Sequence, residues 1–158
     1  SKRQKRMSVL NIYFVCTGNT CRSQMAEAML KHKNIPEVNV RSAGIYALAG
    51  EGMSGNSIAI LEEAEIPHSH TAKQIQLTDM EWADLILTMT VSHKEMILRI
   101  YGENVQNKIF TLKEYISPNE GMDVTDPYGG DLTMYRQTYI ELKELIDELE
   151  KGIERGEY

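Results

Sequence analysis

Residues 15 to 24 read VCTGNTCRSQ, a short stretch that crowds together two thiols, a guanidinium and several hydroxyls. Three chemistries use such residues: a metal site, a dithiol switch, or a nucleophile facing an anion. A C-x-x-C spacing would point to zinc or thioredoxin-like chemistry, but Cys16 and Cys21 are five positions apart and no second pair completes four ligands. Metal binding drops out. What stays is a cysteine, then a loop with Gly18 and Asn19, which tolerate unusual backbone angles, then Arg22 and a helix-forming run opening at Ser23. Such a loop can aim several N–H groups and a helix N-terminus at one point, which makes an anion cradle. Dipoles and a guanidinium around a thiol favour its ionised, nucleophilic form. Arg22 can hold two oxygens of a phosphoryl group while Cys16 attacks phosphorus in line.

Positioning that loop needs a strand before it and a helix after it. VLNIYFV (9–15) is an apolar run dense in β-branched and aromatic residues, suited to a strand covered on both faces. SQMAEAMLKHK (23–33) is rich in helix formers, with Ser23 as its expected N-cap. The alternation continues with strands at 38–43, 84–89 and 108–112 and helices at 54–64 and 93–101. The expected fold is α/β: a single domain with a central, twisted, parallel four-stranded sheet, helices on both faces and right-handed crossovers. The loop then falls at the carboxyl end of the first strand, where such folds bind ligands. From Asp131 onward, Leu132, Tyr135, Tyr139, Leu142, Ile146, Leu149 and Ile153 recur at steps of three and four, the stripe of a long helix docked on its own sheet.

The bulk composition narrows the partners. At 158 residues and 42% hydrophobic, the chain can build one core, and no run of eighteen apolar residues suggests a membrane span. Four of the 17 basic residues lie in SKRQKR; residues 1–6 read as a basic tail or a remnant of expression, leaving 7–158 as the domain. The rest holds 13 basic against 23 acidic residues, a poor balance for gripping nucleic acid. Two cysteines in a chain of this size imply free thiols and a reducing cytoplasm.

Three other features invite chemistry and have plainer readings. Gly50, Gly52 and Gly55 match G-x-G-x-x-G but do not follow the first strand, so they read as a surface loop. His68 and His70 follow Pro67 with no cysteine nearby and read as a solvated loop rather than a metal pair. Trp82, just ahead of a buried strand, reads as a core or edge anchor.

C-x5-R followed by Ser resembles the phosphate loop of the low-molecular-weight protein tyrosine phosphatase family. RSAG (41–44), ADLILTM (83–89) and DPYGG (126–130) fall in that family's order, so the resemblance spans about residues 9 to 150. It implies a cysteine-dependent phosphatase acting on phosphorylated proteins; with the spacing, charge and composition above, no metal, cofactor, nucleic-acid or membrane partner is expected. By the resemblance Cys16, Arg22 and Asp126 are catalytic, with Asp126 as general acid and then base. Asp123 is a nearby alternative that lacks the following Pro. Thr17, Gly18, Asn19, Thr20, Cys21, Arg22 and Ser23 bind phosphate or support the loop, Ser23 by hydrogen-bonding the thiolate. Cys21 is the expected redox partner, in a reversible disulfide with Cys16.

Thr20 stands where the family commonly carries Ile, and its hydroxyl suits a polar leaving group such as guanidinium. With FTLKEY (110–115) it resembles the bacterial protein arginine phosphatase branch; tyrosine phosphatase is the alternative, with Thr20 a mere β-branched substitute. Tyr128 is expected at the rim, where it would stack on either leaving group. Arsenate reduction needs further cysteines, and an inactive binding module would have lost one of Cys16, Arg22 and Asp126. Gln24 replaces the family's usual Pro after Arg-Ser. A Pro there stiffens the unfolded chain by about 0.4 to 1 kcal/mol, so Gln24→Pro is expected to raise the melting temperature with kcat little changed.

Overall fold

The strand that precedes the loop is the middle of everything else. In the computed structural model, which describes residues 8–158, β1 (Leu10–Cys16) pairs in parallel with β2 (Val38–Gly44) on one side and β3 (Leu85–Thr88) on the other. β4 (Ile109–Thr111) completes a four-stranded parallel sheet in the order β2-β1-β3-β4. The expected basic tail lies outside the described residues. Alternate residues of β1 feed two cores, with Ile12 and Phe14 on one face and Tyr13 and Val15 on the other, all fully buried. Both faces being covered explains why the run reads as continuously apolar.

Helices α1 (Arg22–His32) and α6 (Leu132–Glu154) cover the Phe14 face, sharing its core through Met25, Leu30, Leu142 and Ile146. The short α3 (Leu77–Trp82) and α4 (Val91–Tyr101) cover the Tyr13 face through Met80 and Ile97. The Asp131 carboxylate caps α6 by accepting from Met134 N at 3.0 Å. The buried stripe of α6 is Tyr135, Thr138, Leu142, Leu145, Ile146, Leu149 and Ile153; Leu132 and Tyr139 of the expected stripe are only half buried. Each of its fully buried aliphatic side chains stabilises the docked helix by roughly 1.5 to 3 kcal/mol. α2 (Gly55–Glu63), capped by Ser54, lies against α6 near the loop through Ile60 and Tyr135.

Two elements depart from the expected pattern. KIFTL does not end as a strand: Thr111 closes a capping box with Glu114 and opens α5 (Leu112–Ile116). LTDMEW forms α3, too short to show a helical period. Its last residue, Trp82, is half buried, with the Arg41 guanidinium 4.0 Å above its ring. Helix α1 is capped by Cys21, not Ser23, so Gln24 is its third residue instead of its first.

Candidate active site

β1 delivers Cys16 at its last residue, paired with Gly44 of β2, and α1 begins at Arg22, so the five residues between must turn back within that short span. Asn19 takes the left-handed conformation at φ 57°, which Asn tolerates better than most residues. Its side chain then works on both sides. Nδ2 donates to Ser23 Oγ at 2.8 Å and to Ser42 Oγ at 2.9 Å, while Oδ1 accepts from Lys73 N at 3.0 Å. Its backbone N–H points at Cys16 Sγ, 3.3 Å away.

The proton positions follow from these contacts. Both hydrogens of the Asn19 amide are spent on the two serines, and the Ser42 hydroxyl donates in turn to the Glu27 carboxylate. Ser23 Oγ lies 2.8 Å from Cys16 Sγ and 3.5 Å from the Ala43 carbonyl. With Asn19 donating to it, Ser23 is free to donate to sulfur, the arrangement that suits a thiolate. Sequence reading assigned Ser23 the helix cap as well; the geometry leaves it only the contact with the thiol and its neighbours.

Arg22 is 3% exposed. Its Nη1 donates to the Val124 carbonyl at 3.1 Å, and Nη2 lies 3.4 Å from Asp126 Oδ2. Asp126 sits on the loop before α6 with half its side chain exposed, and its Oδ1 accepts from Tyr128 N at 3.0 Å. A turn closed by Gly130 N on the Pro127 carbonyl at 2.8 Å, with Gly129 at φ 80°, presents Tyr128 to solvent. Asp123, the other candidate acid, points elsewhere: its Oδ1 accepts from Val91 N at 2.8 Å, at the start of α4.

Cys16, Thr17, Gly18, Thr20, Cys21 and Arg22 floor a cavity of about 330 Å³ whose walls are Tyr46, Leu48, Glu51, Asp126 and Tyr128. The Cys16 thiol, the Arg22 guanidinium and the Asp126 carboxylate thus share one cavity. A larger one, about 440 Å³, lies against Glu27, Ser42 and His70, and no cysteine lines it. Cys21 is buried outside the thiol–serine pair, with Sγ 3.4 Å from the Tyr135 hydroxyl and 3.6 Å from Ser54 Oγ. Burial and then the Cys21 contact push the Tyr135 hydroxyl up to about 12.

Several residues that hold the site were not assigned to it by sequence. His70 is no solvated loop residue: its Nε2 donates to the Asn19 carbonyl at 2.8 Å, and burial lowers its tendency to take a proton. His93 Nε2 meets Thr17 Oγ1 at 2.9 Å. Gln24, fully buried, donates to the Thr20 carbonyl, so replacing it touches the cradle as well as the helix start. Glu51 and the exposed Tyr46 and Leu48 come from the segment following β2. The G-x-G-x-x-G segment supplies Glu51 and Ser54, whose N–H donates to the Thr20 carbonyl at 3.1 Å. Among the described residues no three His, Cys, Asp or Glu side chains converge as a metal site would require.

A strand ending in cysteine, an inward-turned loop closed by arginine, and an aspartate facing that arginine define a cysteine phosphatase of one chain fold. The chain belongs to the low molecular weight phosphotyrosine protein phosphatase family, whose model matches residues 11–157. It is similar to a protein-arginine-phosphatase of Geobacillus stearothermophilus, 42% identical over 90% of this chain and 95% of that one. It is also similar to the low molecular weight protein-tyrosine-phosphatase PtpB of Staphylococcus aureus, 43% identical over 87% of this chain and 94% of that one. Among solved structures, a mutant of the YwlE arginine phosphatase with a phosphorylated active-site serine superposes with a TM-score of 0.85 at 43% identity. That superposition covers 90% of this chain and 94% of the other.

The tight contact between β2 and the loop sets a prediction. A Cβ on Gly44 would stand 2.4 Å from the Thr17 carbonyl oxygen and 2.9 Å from Asn19 N, both backbone atoms that cannot swing away. Gly44→Ala is expected to displace the loop, lowering kcat/KM by at least about tenfold, a loss equivalent to one misplaced hydrogen bond. Steady-state kinetics on a phosphopeptide, beside a melting curve, checks it.

Proposed function

We propose that this phosphatase hydrolyses phosphoarginine in proteins, with Cys16 as nucleophile, Arg22 as phosphate clamp and Asp126 as acid and base. In the first step Cys16 Sγ attacks phosphorus, the P–N bond breaks, and Asp126 gives its proton to the departing guanidino nitrogen. Arg22 and the N–H groups of the loop hold the equatorial oxygens as charge builds on them. In the second step water attacks the cysteinyl-phosphate, Asp126 takes a proton from that water, and Ser23 stabilises the departing thiolate.

The choice of arginine rests on the mouth of the cavity. Thr20 brings a hydroxyl to the anion-binding floor, and two exposed acidic residues, Asp126 and Glu51, stand above it. Ionised Glu51, and Asp126 until it takes up the proton that it later donates, repel a bare phosphate dianion but favour a substrate that brings a cation attached to it, as a guanidino group does. Tyr46 and Tyr128, 69% and 79% exposed, offer faces on which a guanidinium can lie. The arginine phosphatase among the relatives points the same way. The same two aromatics, with Leu48, also suit a phenyl ring, which keeps phosphotyrosine as the second reading. Cys21 is proposed as the reversible redox partner of Cys16, and the cytoplasm as the place of action.

Measured on matched peptides, kcat/KM is expected to favour phosphoarginine over phosphotyrosine by about a hundredfold or more, since a site built on polar contacts discriminates strongly. Thr20→Ile is expected to narrow that ratio and Cys16→Ser to abolish turnover. A wild-type preference for phosphotyrosine, unchanged in Thr20→Ile, overturns the arginine reading. Under mild peroxide, mass spectrometry is expected to find a bridge between Cys16 and Cys21; sulfinic acid on Cys16 without a bridge removes the redox role.

A further inference from the structure

His93 has no part in the two steps above, yet it is a buried titratable group within reach of both halves of the site. It stands in the first turn of α4, 8% exposed, with its backbone N donating to the Thr90 hydroxyl that caps the helix. Its Nε2 lies 2.9 Å from Thr17 Oγ1, next to the nucleophile, while its Nδ1 is buried without a partner. Buried N–H groups are left orphaned far more rarely than lone pairs, so the neutral tautomer with hydrogen on Nε2 is favoured. In that form Nε2 donates to Thr17 and Nδ1 keeps a bare lone pair.

The same turn of chain holds the acid loop. Val91 N donates to Asp123 at 2.8 Å, and Val124 N donates to the Met89 carbonyl at 2.8 Å, two residues before Asp126. One short segment, 89–93, therefore touches the nucleophile side through Thr17 and the acid side through Asp123 and Val124. Among the described residues, the bond from His93 is the side-chain tie from α4 to the cradle residues 17–22.

We propose that His93 is a positioning residue for the reaction: its bond to Thr17 fixes the first residue of the cradle relative to the acid loop that the same turn holds. The proposal rests on the phosphatase reading but not on the choice of phosphoresidue. Charging the ring would undo the arrangement, because it places a second hydrogen on Nδ1, which has no acceptor, and a cation near Arg22. Arg22 on α1 opposes that charge, and Asp126 and Asp123 on the acid loop favour it. Burial, followed by Arg22, lowers His93 from 6.5 to about 4, so the ring is neutral at pH 7. Its share of stability is complete above pH 6.5 and is lost as pH falls toward 4.

The test compares His93→Gln, His93→Asn, His93→Ala and Thr17→Val by calorimetric affinity for inorganic phosphate and by kcat/KM on a phosphopeptide that the wild type cleaves. Gln carries its amide nitrogen where Nε2 stands, whereas Asn carries it where Nδ1 stands. His93→Gln is expected to keep phosphate affinity within about threefold, and Asn and Ala to lose about tenfold, the worth of one ordinary hydrogen bond. Thr17→Val removes the same bond from the other side while keeping the ring; it should lose about as much, and adding His93→Ala to it should cost little more. Equal behaviour of Gln and Asn, additive losses in the double variant, or undiminished phosphate affinity in Thr17→Val overturns the proposal. A wild type that binds phosphate but cleaves no phosphopeptide overturns the phosphatase reading instead, and with it any role of His93 in the reaction.

Discussion

A loop that turns its N–H groups toward one bound anion must turn its carbonyls outward, and each buried carbonyl then needs a donor elsewhere in the protein. That requirement organises the structure around residues 16–21. The Cys16 and Thr17 carbonyls accept from Ile45 N at 3.0 Å and Tyr46 N at 2.9 Å, just past the end of β2. The Asn19 carbonyl accepts from His70, and that of Thr20 from Ser54 N and the Gln24 amide. The Cys21 carbonyl starts the helix by accepting from Met25 N at 3.0 Å. The cradle is therefore preorganised by donors from segments outside it, and the Asn19 N–H already points at the Cys16 sulfur.

The sheet order serves the same end. Placing β1 between β2 and β3 brings the chain after β2 to one side of the loop and the start of α4 to the other. Gly44 lets β2 run against the loop backbone, which is why RSAG ends in a residue without a side chain. The Ser42 hydroxyl, two residues earlier on the same face of the strand, reaches Asn19. Pairing of two strands thus sets both the backbone and the side-chain support of the nucleophile.

The candidate site was legible because its proposed carriers are close in sequence: Cys16 to Arg22 is one loop, and a strand before it and helix after it announce themselves by composition. The supports were not, because they are close only in space. His70 lies 51 residues from Asn19 and His93 lies 76 from Thr17. Nothing local separates a histidine that donates to a buried carbonyl from one in a wet loop; the difference appears only when the sheet brings the segments together. The start of α5 is the opposite case. Thr111 and Glu114 formed a legible capping box, but Leu112 prolonged an apolar run and read as strand. The misplaced cap of α1 came from treating Ser23 as a generic capping residue, when sulfur and an amide already claim its hydroxyl.

The chain is acidic, at a net charge of −6, yet its site is built to hold an anion. The two facts are compatible because the cradle relies on oriented N–H dipoles and one buried guanidinium, which act over a few ångströms, whereas exposed charge is screened over about 8 Å at physiological salt. Screening leaves the floor of the cavity attractive to phosphate and the mouth, with Glu51 and Asp126, attractive to cations. A free phosphate meets opposing fields along its path inward. On the proposed reading, a phosphoryl group carried on a basic side chain meets a favourable one at each depth, and the order of charges in the cavity then favours the attached group over the anion alone.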